Sequence, residues 1–238
     1  LVLGHQEGWP PWCWASLAAS AVAFGAFVVV ERRVQASGVT PLVPGSVLRA
    51  PGLAVGAAVL LIAMISYGGF LFSLGLHLQS GLGLGAAHAG LAFAPMAAGF
   101  AATGLTWRQL PQRWHARVIP LGLVLAAAAY TLLALAVRDG RPIGITAETE
   151  LFVIGLALGL AFSPMLTVAL ARVPQADAAD ASGVLVTVFQ LGQVVGVATL
   201  GTLYLSLGTS ASGLVAVLGA LAVLSCVAAV VAIPRAVT

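Results

Sequence analysis

LFVIGLALGLAFSPMLTVALARVPQADAADASGVLVTVFQLGQVVGVATLGTLYLSL, residues 151–207, decides the fold: two long apolar arms joined by the short polar loop Arg172–Ser182. Neither arm carries a charged side chain, and about 20 apolar residues suffice to cross ~30 Å of hydrocarbon as a helix. The stretch therefore reads as a transmembrane helical hairpin. On the first arm Gly155, Gly159 and Ser163 recur every four residues, a ladder of small side chains that lets another helix backbone approach closely. Pro164 then interrupts the hydrogen-bond ladder. On the second arm Gly192, Gly196 and Thr199 share one face, while Thr187, Gln190 and Gln193 fall on roughly the opposite one. Gly155, Gly159, Gly192 and Gly196 are accordingly read as helix-packing residues. The polar face has two readings: hydrogen bonding between helices, at an average of only ~0.6 kcal/mol per contact, or the wall of a water-filled path.

Composition extends this reading to the whole chain. Hydrophobic residues make up 61% and charged residues 7%, against about 25% charged in soluble domains. The 238 residues hold seven spans of ~20 residues with short connections, and no stretch is polar enough for a second, soluble domain. The expected class is all-α, a polytopic membrane protein with seven transmembrane helices and no role with nucleic acid. The net charge of +3 comes from ten Arg against seven acids, with Lys absent, which excludes a Lys-linked chromophore. Cys13 and Cys226 lie at opposite ends with no metal-ligand spacing, so both are expected to be buried small hydrophobes. No metal and no cofactor are expected. The start at Leu1, with neither an initiator Met nor a basic leader, reads as an incomplete polypeptide.

Along the chain, the first span is expected at 12–31, with Trp9, Trp12 and Trp14 as an interfacial belt and Glu31, Arg32 and Arg33 closing it. A linker to Pro51 follows, whose PLVPGSVLR segment is apolar enough to lie along the membrane surface. The second span, 52–78, places Ser66, Gly69, Ser73 and His77 within one ~80° arc, an inward-facing stripe. The third runs from His88 to Thr106 with Pro95 in its first half, the fourth over 118–137, and RDGRPIGITAETE (138–150) reads as an exposed loop. After the hairpin, a Ser/Gly turn at 206–213 leads to a last span at 213–233. His77 reads as a solvated interfacial histidine, the alternative being a pH-responsive gate. Asp177 and Asp180 read as caps of the sixth span. Tyr67 and Tyr130 read as packing residues, the alternative being stacking on an aromatic ligand. Arg32, Arg33, Arg49, Arg108, Arg113, Arg117, Arg172 and Arg235 fall on one side and only Arg138 and Arg141 on the other. That bias puts the C-terminus in the cytoplasm and the first span's start outside.

AGLAFAP (89–95) after Leu78-Gln79, GLALGLAFSP (155–164), and TVFQLG (187–192) running on through Gly196-Val-Ala to Leu200-Gly201-Thr202 resemble the major facilitator superfamily, and within it the fourteen-helix drug:proton antiporters. The likeness runs from Val30-Glu31-Arg32-Arg33 to the last span. It implies helix eight through helix fourteen: a linker helix and cytoplasmic loop (1–51) and the six-helix C-terminal transporter bundle (52–238), with the N-terminal six-helix bundle missing. It also implies a multi-pass protein of the plasma (inner) membrane that exports lipophilic or cationic small molecules, coupled to protons, by alternating access. Its partners would be the lipid bilayer, a small lipophilic substrate, protons and the missing bundle. In such a transporter Ser66, Tyr67, Ser73, Tyr130, Thr187, Gln190 and Gln193 are the candidates for the substrate cavity.

The sequence also departs from that pattern. Arg113 and Arg117 echo the family's cytoplasmic-loop motif, but Gln112 and His115 stand where Asp and Gly belong, and Phe189 stands where many relatives carry Arg. None of Glu7, Glu31, Asp139, Glu148, Glu150, Asp177 or Asp180 falls at mid-span, where proton relays place their acids. The proton-coupling acid is therefore expected outside this chain. An enzyme would need an HExxH, a paired carboxylate or a Ser/Lys dyad, and the sequence has none, so no catalytic residue is assigned. A seven-helix receptor matches the span count and orientation alone. A non-transporting membrane protein, or a facilitator importing a metabolite, are the remaining alternatives.

Overall fold

The long apolar runs form helices in the computed structural model, which describes Gly8 and residues 10–37, 52–111, 114–115, 117–138, 144–171 and 173–233. They are α1 (Pro11–Ala36), α2 (Leu53–Leu76), α3 (Ala86–Leu91), α4 (Ala94–Thr106), α5 (Val118–Val137), α6 (Ile145–Leu170), α7 (Ala178–Ser206) and α8 (Ala211–Ala232). The helix α2 runs on through a π-helical turn, His77–Gly81, and α3 and α4 together form one crossing. Among the described residues seven segments are thus long and apolar enough to span a membrane, the number expected.

Where the boundaries differ from expectation, local chemistry gives the reason. The third crossing is broken at Ala92–Phe93 because Pro95, at the start of α4, has no amide proton to continue the ladder from α3. The fifth span starts at Ile145, inside the stretch expected to be loop; Glu148 lies in its first turn, where the positive end of the helix dipole favours an acid. The Arg172–Ser182 loop is shorter than expected, since α7 begins at Ala178 after the 3-10 turn Gln175–Asp177. Asp177 does occupy the N-cap position, but its side chain makes no capping bond, because that turn holds its backbone at φ −100°, ψ 0° instead of the extended cap geometry. Ser210 is the side chain that caps, accepting from the Gly213 amide at 3.4 Å. The PLVPGSVLR linker, Trp9, Gln112, Arg113, Asp139, Arg141, Arg172 and Arg235 lie outside the described residues.

α2 packs on α7, α4 and α5 on α6, and α8 on α5 and α2. One buried cluster gathers around Phe70, Tyr130 and Tyr204; the other gathers around Leu60, Met64 and Met165. By contrast α1 buries only Cys13 and makes no extensive contact with another helix among the described residues. Its Val22 and Phe24 are 71% and 68% exposed, as suits a helix whose neighbour is lipid. Cys226 is exposed on α8, so only Cys13 is the buried thiol that was expected of both; position 226 falls on the outer side of a helix whose buried face runs through Leu218, Leu221 and Ser225.

The close pairs meet through glycine. A Cβ on Gly68 would stand 2.7 Å from the Gln193 carbonyl oxygen, and one on Gly192 would stand 2.6 Å from the Met64 Cβ. One on Gly196 would meet the Ile65 carbonyl and the Gly69 amide. Between α4 and α6, a Cβ on Gly155 would lie 2.9 Å from the Phe100 nitrogen and one on Gly159 2.5 Å from the Phe100 oxygen. Thr103 ties the same pair, its hydroxyl donating to the Leu156 carbonyl at 2.8 Å. Gly196→Ala should therefore destabilise the bundle by about 1–3 kcal/mol through overpacking, read from unfolding in a denaturing detergent. Gly219→Ala, whose new methyl would meet nothing within 4 Å, should be neutral or slightly stabilising; equal losses at both positions would contradict the packing assignment.

A cavity lined by methionine and phenylalanine

A cavity of about 260 Å³ opens between α2, α4 and α6, closed by one side chain each from α5 and α7. From α2 come Ala63, Met64 and Tyr67, and from α4 Met96, Ala97 and Phe100, the same i, i+1, i+4 spacing on each helix, which puts all three side chains on one face. From α6 come Leu158, Ala161, Phe162 and Met165, one stripe over two turns. Leu123 and Phe189 complete the wall. The three alanines leave the space; sulfur and rings border it. Phe162 is the central ring, 6.0 Å from Phe100 and 5.8 Å from Phe189, tilted against both.

The chain has three methionines, and all of them line this cavity. Tyr67 supplies its one side-chain hydroxyl, and no charged side chain lines it among the described residues. No cluster of three His, Cys, Asp or Glu that could hold a metal occurs among the described residues either. Chemically the cavity offers dispersion, ring contacts, adaptable thioethers and one hydrogen bond.

The residues singled out in the sequence are distributed differently. Tyr67 lines the cavity, and so does Phe189. Of the Ser66, Gly69, Ser73, His77 stripe, the last three meet α7 instead, at Leu200 and Tyr204. Ser66 is 3% exposed and bonds the Ile62 carbonyl of its own helix at 3.1 Å. Ser73 is fully buried with the Leu200 carbonyl at 3.5 Å. Tyr130 is fully buried against Phe70, ring centroids 5.1 Å apart, and its hydroxyl has no partner among the described residues. On α7, Thr187 is exposed and bonds the Gly183 carbonyl at 2.9 Å, Gln190 is exposed, and Gln193 is half-buried beside Gly68.

His77 is not the solvated residue expected. It is 4% exposed, with Nδ1 2.9 Å from the Tyr204 hydroxyl and the two rings edge to face. His77 keeps the α-helical phase of α2, its amide bonded to the Ser73 carbonyl, so its ring stays on the face of Gly69 and Ser73 that meets Leu200 and Tyr204 of α7; the π-turn begins only at this residue. Met64, Met96, Met165, Phe100 and Phe162 carry no polar group to mark them within an apolar sequence. The signal that would have found them was the rarity of methionine in so apolar a chain.

A family model described as Major Facilitator Superfamily matches residues 1–197. A probable actinorhodin transporter of Streptomyces coelicolor is 35% identical over 87% of this chain and 36% of its own length. A cephamycin export protein of Amycolatopsis lactamdurans is 36% identical over 87% and 42%, and a lincomycin resistance protein of Streptomyces lincolnensis 35% identical over 87% and 41%. The chain thus spans about two-fifths of the length of these relatives.

Tyr204→Phe should remove the bond that ties the end of α2 to α7 while leaving the cavity wall intact. The expected loss is about 0.6–1.7 kcal/mol, the range for side-chain bonds between membrane helices, read as a lower unfolding midpoint. An unchanged midpoint would show that the His77–Tyr204 pair contributes nothing to the packing of α2 on α7.

Proposed function

The chain belongs to the major facilitator superfamily, and from that premise we propose that it is the C-terminal part of a proton-coupled exporter of lipophilic or cationic small molecules, of the fourteen-helix drug:proton antiporter branch. The observation that carries this reading is the uncharged, ring-lined cavity between α2, α4 and α6, in a chain whose relatives are named as transport, export and resistance proteins. In this reading residues 1–51 form a linker helix and cytoplasmic loop, which suits the isolation of α1, and residues 52–238 form the transporter bundle. The missing partner is an N-terminal six-helix bundle of the same polypeptide. The exposed Val186, Thr187, Gln190 and Val194 on α7 are the surface it would meet, with Tyr67, Thr187, Gln190 and Gln193 on the wall of the joint cavity. Ser66, Ser73 and Tyr130 stand behind that wall.

The arginine distribution supports a cytoplasmic C-terminus in the plasma membrane. Glu31, Glu148, Glu150, Asp177 and Asp180 all lie near helix ends, so the proton-coupling acid belongs to the partner bundle. Alternating access then follows from rocking of the two bundles about the shared cavity. The test uses vesicles holding either the chain alone or the chain joined to the N-terminal bundle, with an imposed proton gradient and a panel of lipophilic dyes. Uncoupler-sensitive flux is expected from the joined protein only, and Gln190→Ala should change its apparent affinity for part of the panel. Flux from the chain alone, or none from the joined protein, would overturn the reading.

A further inference from the structure

Three observations on the cavity between α2, α4 and α6 narrow what it holds. The first is size: a dry cavity of about 150 Å³ takes up benzene, so ≈ 260 Å³ has room for two fused rings. The second is the wall, where Met64, Met96 and Met165 bring every thioether of the chain to one space beside Phe162. Methionine sulfur makes favourable contacts at the edges of aromatic rings, and its unbranched chain adapts to their outline. The third is charge. A cation drawn in here would lose its water without meeting a carboxylate, since no charged side chain lines the cavity among the described residues.

We propose that this cavity binds the flat, bicyclic aromatic portion of an uncharged ligand, gripped at its edges by Met64, Met96 and Met165 and oriented by one hydrogen bond from Tyr67. The proposal rests on the export reading for its purpose and narrows the substrate class named there, from lipophilic or cationic to neutral and aromatic. It makes the methionines specificity-determining: replacing sulfur by carbon keeps volume and apolarity but removes the preference for rings. It also gives Tyr67 a partner of defined chemistry, an oxygen on the ring.

The experiment uses the chain in lipid nanodiscs with three probes of one outline: 2-naphthol, its saturated counterpart decahydro-2-naphthol, and a naphthyl trimethylammonium ion. Binding is read by equilibrium dialysis against nanodiscs of the Met64→Leu/Met165→Leu variant, so that partition into lipid cancels. The expected result is that 2-naphthol binds the unchanged chain best and loses about 3- to 30-fold in the variant, while the saturated alcohol changes less than twofold. Peroxide footprinting runs alongside, and 2-naphthol should shield Met64, Met96 and Met165 from oxidation. This second readout, with Met96→Leu alone, carries the test should the double variant fail to keep its helical circular dichroism. Equal binding of the saturated alcohol or the cation, an unchanged affinity in the variant, or no shielding would overturn the proposal. Binding of 2-naphthol without any dye flux from the joined protein would sink the export reading and leave this one standing; dye flux without 2-naphthol binding would do the reverse.

Discussion

Backbone-to-backbone contact, α2 on α7 and α4 on α6, is the constraint on which the rest of this bundle depends. In lipid there is no hydrophobic gain from bringing two apolar helices together, so association rests on close packing and a few hydrogen bonds. Gly68, Gly192 and Gly196 in the first pair, and Gly99, Gly155 and Gly159 in the second, are the points where a side chain would collide with a neighbouring helix. Because these two pairs are pulled tight along their glycine faces, the faces turned toward each other, carrying Ala63, Ala97 and Ala161, are left apart. The cavity is the space that this uneven packing leaves, and Met64, Met96 and Met165 border it.

That account separates two kinds of polar residue which look alike in a sequence. Ser66 and Ser73 are buried and bonded to helix carbonyls, Ser66 to its own helix and Ser73 across the tight contact to α7. Thr187 and Gln190 sit on the open side of α7, exposed. The burial of Gly192 and Gly196 and the exposure of Thr187 and Gln190 follow the 100° spacing, as do the seven crossings and the bounds of α5; Thr199, exposed, and Gln193, half-buried beside Gly68, depart from it. Spacing could not tell which neighbour each face of α2 meets, because the same inward arc serves a cavity or a helix contact equally well.

Other features were hidden for local reasons. Pro95 was visible, but whether a proline kinks a helix or divides it into α3 and α4 depends on whether the preceding turn finds other partners. His77 shares the arc of Gly69 and Ser73 by plain α-helical spacing, but its burial against Tyr204 depends on which helix covers that arc, and position near a span's end does not say. The methionine cavity escaped because an apolar site in an apolar chain offers no contrast; it is the convergence of three rare side chains from α2, α4 and α6 in space that makes it visible. The cavity is uncharged, and the acids among the described residues keep to helix ends.

Disulfide trapping of α2 against α7 tests the packing most directly. Leu200 faces Gly69 so closely that a Cβ at position 69 would stand 2.8 Å from the Leu200 Cβ, within about an ångström of the 3.5–4.5 Å that a disulfide spans. With Cys13 and Cys226 replaced by Ala, Gly69→Cys/Leu200→Cys should cross-link rapidly and almost completely under a mild oxidant in membranes. Gly219→Cys/Val124→Cys, on exposed positions of α8 and α5, should stay reduced. Failure of the first pair to cross-link, or equal cross-linking of both, would contradict the glycine-built contact from which the cavity follows.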